Sequence, residues 1–168
     1  MANTSKPTDH LKEEHQNVKK KLDTLEHIFQ NLDKKDEVSD KLKELASFFK
    51  TEFWVHFTKE EEALFPEMEK YVPKDMGPIG MMLEEHVALK NTNEELQKLY
   101  PVYLGNSGNA ETITLIKRHG FRFIQALRDH IYKEDNVLFM MADEQLNKSQ
   151  VDSINNQFKD IENKQTAG

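Results

Sequence analysis

Apolar residues recur along this chain at alternating three- and four-residue steps, the period of an amphipathic helix, in four long stretches and one short one. In the first stretch, Thr8 or Asp9 can cap a helix whose stripe runs Leu11, Val18, Leu22, Leu25, Phe29 and Leu32. His15 fills the vacant step in that series. An unpaired buried polar group costs about 1–3 kcal/mol, so a histidine at a core position must be hydrogen-bonded or metal-bound. His27 lies about 120° round the same helix and should face solvent. The second stretch starts near Val38 or Ser39 and carries Leu42, Leu45, Phe49, Phe53, His56, Glu60 and Leu64 before Pro66 kinks or ends it. Pro73 to Pro78, with Gly77 between them, reads as a loop.

A third helix presents Met82, His86, Leu89, Asn93, Leu96 and Tyr100, and Pro101 with the run Gly105-Asn106-Ser107-Gly108-Asn109 should stop it. The fourth and longest traces Ile113, Ile116, Gly120, Phe123, Leu127, His130, Glu134, Leu138 and Met141 on its inner face. Gly120 on that face would let a neighbouring helix come close. Beyond Asn147, Ser149 can cap a short fifth helix with Val151, Ile154, Phe158 and Ile161 as its apolar edge. Four long helices on short links predict an all-α fold, an antiparallel up-down four-helix bundle over about residues 9–145. The short additional C-terminal helix, about 149–163, should pack outside it. The 168 residues suit one well-buried core, so a single domain over 1–168 is expected.

Composition narrows the function classes. Hydrophobic residues make up 37% and charged residues 32%, and ten Phe can supply a core beneath charged outer faces, unlike a disordered chain. A net charge of -7 argues against a nucleic-acid partner, whose phosphates are bound mostly by clustered Lys and Arg. The runs Lys19-Lys20-Lys21 and Lys34-Lys35 read as solvated faces. There is no cysteine, which removes disulfides, thiolate metal sites, iron-sulfur clusters and cysteine catalysis, so any metal must be held by nitrogen and oxygen. MANTSKPTDH has no apolar leader, and no apolar run approaches the ~20 residues of a membrane span. A cytoplasmic protein without a membrane partner is expected.

The candidate chemistry lies in a repeat. His56 and Glu60 are about 1.1 helical turns apart and share a face, and His130 and Glu134 repeat the spacing, each pair followed by Leu-Phe. Glu13-Glu14-His15 in the first helix is matched by Glu84-Glu85-His86 in the third, so the two hairpins look like copies of one unit. In an up-down bundle, at ~1.5 Å per residue, His15, His56, Glu60, His86, His130 and Glu134 fall at one level to within a few ångströms. Taken singly, each of these histidines reads as an ordinary core or surface residue; it is the repeated register that points to metal. Six nitrogen and oxygen ligands exceed the need of one zinc but suit two ions bridged by carboxylates, each with a position open to an outside ligand. Two glutamates, and an oxide or hydroxide bridge, would offset the metal charge in the core.

With these residues the chain resembles the hemerythrin-like family, also called the HHE cation-binding domains, over roughly residues 9 to 145. The family pattern is H, H-x-x-x-E, H, H-x-x-x-E on an antiparallel four-helix bundle, and the E-E-x-L-F-P segment at Glu61 to Pro66 also matches. The resemblance implies a non-haem di-iron centre that binds O2, NO or peroxide as a sensor, scavenger or carrier. It equally admits a di-iron oxidoreductase acting on peroxide, NO or ferrous iron and served by an electron-donor protein, or an iron-handling protein that repairs iron centres. Iron itself comes from the resemblance, since the ligand set alone also allows manganese or zinc. Oxygen-carrying hemerythrins have a further histidine one turn after the third-helix ligand, where this chain has Lys90. They also space the last ligand pair by five, which would select Asp135, whereas the internal repeat selects Glu134. These departures favour oxidation chemistry or ligand sensing over reversible oxygen carriage.

Around the six residues, Glu52 is one turn before His56 and is a candidate acceptor for its ring N–H, a partner ligating imidazoles usually have. His119 shares the angular face of His130 but lies ~16 Å away along the helix, so it is expected as a core or boundary residue outside the cluster. Lys90 and Asn93 lie on or beside the site-facing stripe. Ferritin-like di-iron proteins need E-x-x-H, and none of the seven histidines has Glu three residues before it.

Overall fold

The structure, a computed structural model, describes residues 5–75, 77–105 and 109–167. Its described residues form five helices and no strand. Helix α1 is Pro7–Gln30 and α3 is Pro78–Leu104, each opening on a proline whose missing N–H would be unpaired there anyway. Helix α2 (35–68) joins Lys35–Lys50, Glu52–Lys59, a π-helical turn at Glu60–Leu64 and Phe65–Met68. Helix α4 (110–145) is built alike from Ala110–Lys133, a π-turn at Glu134–Leu138 and Phe139–Gln145. Helix α5 is Lys148–Ala167.

Each of the first four helices touches the next, and α4 closes back on α1. The pairing is antiparallel: Thr8 near the start of α1 bonds Asp143 near the end of α4, and Lys35 at the start of α2 reaches the Gly105 carbonyl just past α3. Two apolar clusters fill the interior. One holds Leu22, Phe29, Phe49, Leu96, Phe123 and Leu127, and the other holds Leu11, Leu64, Phe65, Leu138, Phe139, Ile154 and Phe158. A band of buried polar side chains, His15, His56, Glu60, His86, His130 and Glu134, lies between them. No helix among the described residues is long and apolar enough to cross a membrane.

Several boundaries differ from the sequence reading. Helix α1 starts at Pro7, so Thr8 and Asp9 sit inside its first turn, and the Asp9 carboxylate accepts from the Lys6 backbone N–H at 3.3 Å. Helix α2 starts at Lys35, three residues early, and breaks at Thr51. The Phe49 carbonyl freed by that break accepts from the Asn93 amide at 2.9 Å and the Trp54 indole at 2.8 Å, so Asn93 pins a helix break rather than supporting the polar band. Pro101 lies within the last turn of α3 instead of ending it, and the Gly105 N–H closes that turn on the Pro101 carbonyl at 2.9 Å. Of the expected long loop, Asn106, Ser107 and Gly108 lie outside the described residues, as does Met76 of the Pro73–Pro78 loop. The Asn109 side chain caps α4 by accepting from the Thr112 N–H at 3.0 Å.

Helix α5 is longer than expected and is capped by Asn147 rather than Ser149. The Gln150 N–H donates to the Asn147 side chain at 2.9 Å and the Asn147 N–H to the Gln150 side chain at 3.0 Å. It lies outside the bundle, as its apolar edge implied, with Ile154 and Phe158 buried against α1 and α2. His27 is exposed and His119 half-buried, both apart from the polar band.

The neither-expected feature is the pair of π-turns. In each, an N–H reaches back five residues: Phe65 to the Glu60 carbonyl and Phe139 to the Glu134 carbonyl. Pro66 is not their cause, because the second copy has Met140 at the matching place and turns identically. The inserted residue advances the inner face by one position. Phe139 and Ala142 are therefore buried where a regular helix would have buried Met141, which is only half-buried.

Gly120 meets the expectation of close approach, since a Cβ there would overlap the Phe29 ring of α1. Gly120→Ala should cost about 1–3 kcal/mol of stability through this overlap. Urea titration should show a lower midpoint at unchanged slope; an unchanged midpoint would mean that the Phe29 ring yields freely.

Candidate metal centre

All six sequence-selected residues meet in the polar band, and all are buried. His15 of α1 and His56 of α2 bring their Nε2 atoms to 3.0 Å of each other. His15 Nε2 is 3.2 Å from Glu134 Oε1, and His56 Nε2 is 3.5 Å from Glu60 Oε2. Across the band, His86 Nε2 of α3 is 3.2 Å from Glu60 Oε1, and His130 Nε2 of α4 is 3.2 Å from Glu134 Oε1. Two groups of four result, His15, His56, Glu60, Glu134 and Glu60, His86, His130, Glu134, each with its donor atoms within 4.8 Å of one another. The two glutamates belong to both.

What the donors lack is informative. Among the described residues, both oxygens of Glu60 and of Glu134 and the Nε2 atoms of His86 and His130 are buried without a hydrogen-bond partner. Buried polar groups are nearly always paired, and a cluster of orphans converging on one space is what a cation would complete. The donor types and spacings thus fit a centre of one or more cations held by imidazole nitrogen and carboxylate oxygen.

The outer nitrogens of the rings are all taken. His15 Nδ1 lies 2.7 Å from Asp135 Oδ1, His56 Nδ1 2.9 Å from Glu14 Oε1, His86 Nδ1 2.8 Å from Glu61 Oε2 and His130 Nδ1 2.9 Å from Glu85 Oε1. With Nδ1 turned to an outward carboxylate, Nε2 faces inward, and its lone pair becomes available to a cation once the ring is neutral. Each acceptor stands on a different helix from its ring: α1 serves α2, α2 serves α3, α3 serves α4, and α4 serves α1. The contacts close into a ring round the bundle.

Glu52 is not among these acceptors. It is exposed, and the ring of His56 turns its Nδ1 across to α1 and Glu14 rather than back along its own helix. The role of Glu14, Glu61, Glu85 and Asp135 as acceptors for the ring nitrogens is what sequence reasoning missed. Their signal was in the repeat itself, since each is the chain neighbour of a selected residue: Glu14 and Glu85 precede His15 and His86, and Glu61 and Asp135 follow Glu60 and Glu134. Of Glu134 and its alternative Asp135, Glu134 lies inside the polar band, 3.2 Å from His15 Nε2, and Asp135 lies on the outer nitrogen of His15.

Residues 6–142 match the family model described as the hemerythrin HHE cation binding domain. The chain belongs to that family. Neither the curated proteins nor the solved structures give a match. Helix α5 lies beyond the matched residues.

Aromatic rings line the HHE centre. Phe57 stacks on His86 with centroids 3.7 Å apart, and Phe139 and Phe65 stack more loosely on His15 and His86. Lys90, at the place of the extra histidine of oxygen carriers, is exposed and lines a cavity of about 320 Å³ with Trp54, Phe57, Leu83 and His86. A third group, His10, Glu14 and Glu162, is half-buried at the surface, and the Lys59 ammonium already fills it, 3.0, 2.9 and 2.6 Å from the three.

Proton affinities in the metal-free cluster follow from its burial. Burial, then the adjacent Glu134 charge, push the Glu60 carboxyl up to about 8. Burial would favour a neutral His130 ring, but Glu134 and Glu85 outweigh it and raise the ring to about 10. His15 and His86 are raised in the same way, by their carboxylate neighbours against burial. For Glu14, burial is outweighed by His56 and Lys59, which draw it down to about 2.

The sign of the pH dependence follows. The raised groups stabilise the metal-free fold when protonated, so that stability is lost as pH rises through about 8 for Glu60 and about 10 for His130. Metal ligation needs the same groups deprotonated, so cation affinity climbs with pH and binding releases protons. The melting temperature of the chelated protein should fall between pH 5 and pH 9, while the increment from added divalent metal widens, as calorimetry at matched ionic strength would read. A metal increment that is flat over this range would contradict ligation by these groups.

Proposed function

We propose that the HHE centre of this protein holds two iron ions, one between His15 and His56 and one between His86 and His130, with Glu60 and Glu134 shared. The observation that carries this reading is the sharing itself. Glu60 turns one oxygen to each histidine pair, and Glu134 Oε1 is 3.2 Å from a histidine of each. Four neutral imidazoles with two bridging carboxylates suit a pair of divalent ions. Iron is favoured by membership of the family; manganese and zinc use the same donors.

Paired iron supplies redox-linked binding of small diatomic or peroxidic ligands. The chain's own residues shape that chemistry. The imidazoles and glutamates hold the pair, Phe57, Phe65 and Phe139 exclude water from the rings, and the cavity beside His86 and Lys90 gives a small ligand room to approach. The protein is accordingly read as a cytoplasmic sensor, scavenger or carrier of O2, NO or peroxide. The same cavity favours a second reading, a di-iron oxidoreductase reducing peroxide or NO or oxidising ferrous iron with an electron-donor protein. Turnover with a reductant separates the two, since a binder reacts once.

Protein grown with iron should contain two irons per chain, and its reduced form should change its optical spectrum on exposure to O2 or NO. Less than one iron per chain, or a silent spectrum, would remove the reading. Glu60→Ala should lower occupancy at both positions, whereas His56→Ala should lower it mainly at one; equal losses in the two variants would leave the bridging role without support.

A further inference from the structure

The two halves of the centre are copies in sequence, yet the structure treats them differently. In each half a lysine immediately before the bridging glutamate holds the carboxylate that orients a histidine. Lys59 Nζ donates to Glu14 Oε2 at 2.9 Å, while Glu14 Oε1 takes His56 Nδ1. Lys133 Nζ donates to Glu85 Oε2 at 2.7 Å, while Glu85 Oε1 takes His130 Nδ1. There the likeness ends. The Lys133 side chain is 44% exposed and borders a cavity of about 320 Å³ with Glu85, Arg122 and Asp129. The Lys59 side chain is 2% exposed because α5 lies over it, and Glu162 of α5 bonds its ammonium at 2.6 Å. His10 Nε2 adds a contact at 3.0 Å.

A buried ammonium is tolerated only when paired, and once paired it loses most of its freedom. Glu162 therefore clamps Lys59, Lys59 clamps one oxygen of Glu14, and the other oxygen is left with a single direction in which to receive the His56 ring. At Lys133 the ammonium meets solvent and Glu85 is its one carboxylate partner among the described residues, whereas the buried Lys59 ammonium is held by Glu14, Glu162 and His10 together. Carboxylates behind ligating histidines set ring orientation, and their loss typically weakens metal affinity 10–100-fold. The helix that makes the difference, Lys148–Ala167, lies outside the residues that match the family model.

We propose that α5 acts as a strap on one half of the centre: Glu162, through Lys59 and Glu14, fixes the His56 ring, so that the position at His15 and His56 holds its cation more tightly than the position at His86 and His130. Glu162, Lys59 and Glu14 are positioning residues, none of them offered as a ligand. The unequal affinities rest on the two-ion reading above; the fixed ring does not.

The test uses the full chain and separates these two parts. In metal-free protein, NMR of the ring protons should show His56 Nδ1–H exchanging with water more slowly than His130 Nδ1–H. E162Q should bring His56 to the His130 rate and leave His130 unchanged. The mirror variant K133M should speed His130 alone, which keeps the comparison available even if E162Q folds poorly. Acceleration at both histidines in E162Q, or at neither, would overturn the strap. In anaerobic titration with Co(II), the wild type should bind two ions in separable steps, with E162Q weakening the tighter step by about tenfold and sparing the other. Two equal steps in the wild type, or a loss shared by both steps in E162Q, would overturn the inequality. Uptake of fewer than two ions would overturn the two-ion reading and the inequality with it, while the NMR comparison still decides whether α5 fixes His56.

Discussion

Two carboxylates whose four oxygens are buried and, among the described residues, have no hydrogen-bond partner are the constraint round which this protein is built. An isolated buried anion is so costly that a protein normally neutralises or pairs it. In the bare chain the compromise is visible in the proton affinities: burial and the Glu134 charge drive Glu60 to hold a proton, while the neighbouring Glu60 carboxyl, then His130 and His15, hold Glu134 well below the usual carboxylate range despite its burial. A cation would remove the conflict by giving these inward oxygens and nitrogens a partner. The unsatisfied polarity is held in place by apolar clusters on either side of the band.

That polarity is kept in order by the ring of outward contacts. Each imidazole is turned by a carboxylate from another helix, and the sequence of donors and acceptors runs once round the bundle and closes. The contacts therefore do two things: they aim Nε2 inward, and they tie each helix to its neighbour at the level of the site. The π-turns belong to the same arrangement. Each begins at a shared glutamate, whose successor reaches the outer nitrogen of a histidine on another helix, and the inserted residue then returns Phe65 and Phe139 to the inner face. A regular helix would carry the apolar stripe off that face by one position.

The duplicated unit does not give a duplicated environment. Phe57 stacks on His86, while Ile131 occupies its counterpart in the repeat and has no ring to offer His15. On one half His86 borders the cavity beside Lys90; on the other, His56 and Glu14 border a cavity of about 410 Å³ and Lys59 lies beneath α5. Twofold likeness supplies a symmetric set of donors, and the packing outside the repeat makes the two sides distinct.

The helical periods, the fold class and the six inward donors were readable from the chain alone, because helix geometry converts spacing into direction and an internal repeat supplies its own control. Local chemistry also announced Gly120 and the apolar edge of α5. Other features depend on which helix lies next to which, and spacing within one helix is silent on that. The outer nitrogen of His56 chose Glu14 across the interface over Glu52 on its own helix, Asn93 went to the carbonyl freed at the α2 break, and Lys59 was buried although its copy Lys133 was not. Even the π-turns escaped the reading, since a one-residue insertion leaves no mark in composition and shows only when the inner face must meet a neighbour. The sequence by itself determined what points inward; only the tertiary structure decided what stands behind it, because those partners are supplied by other helices.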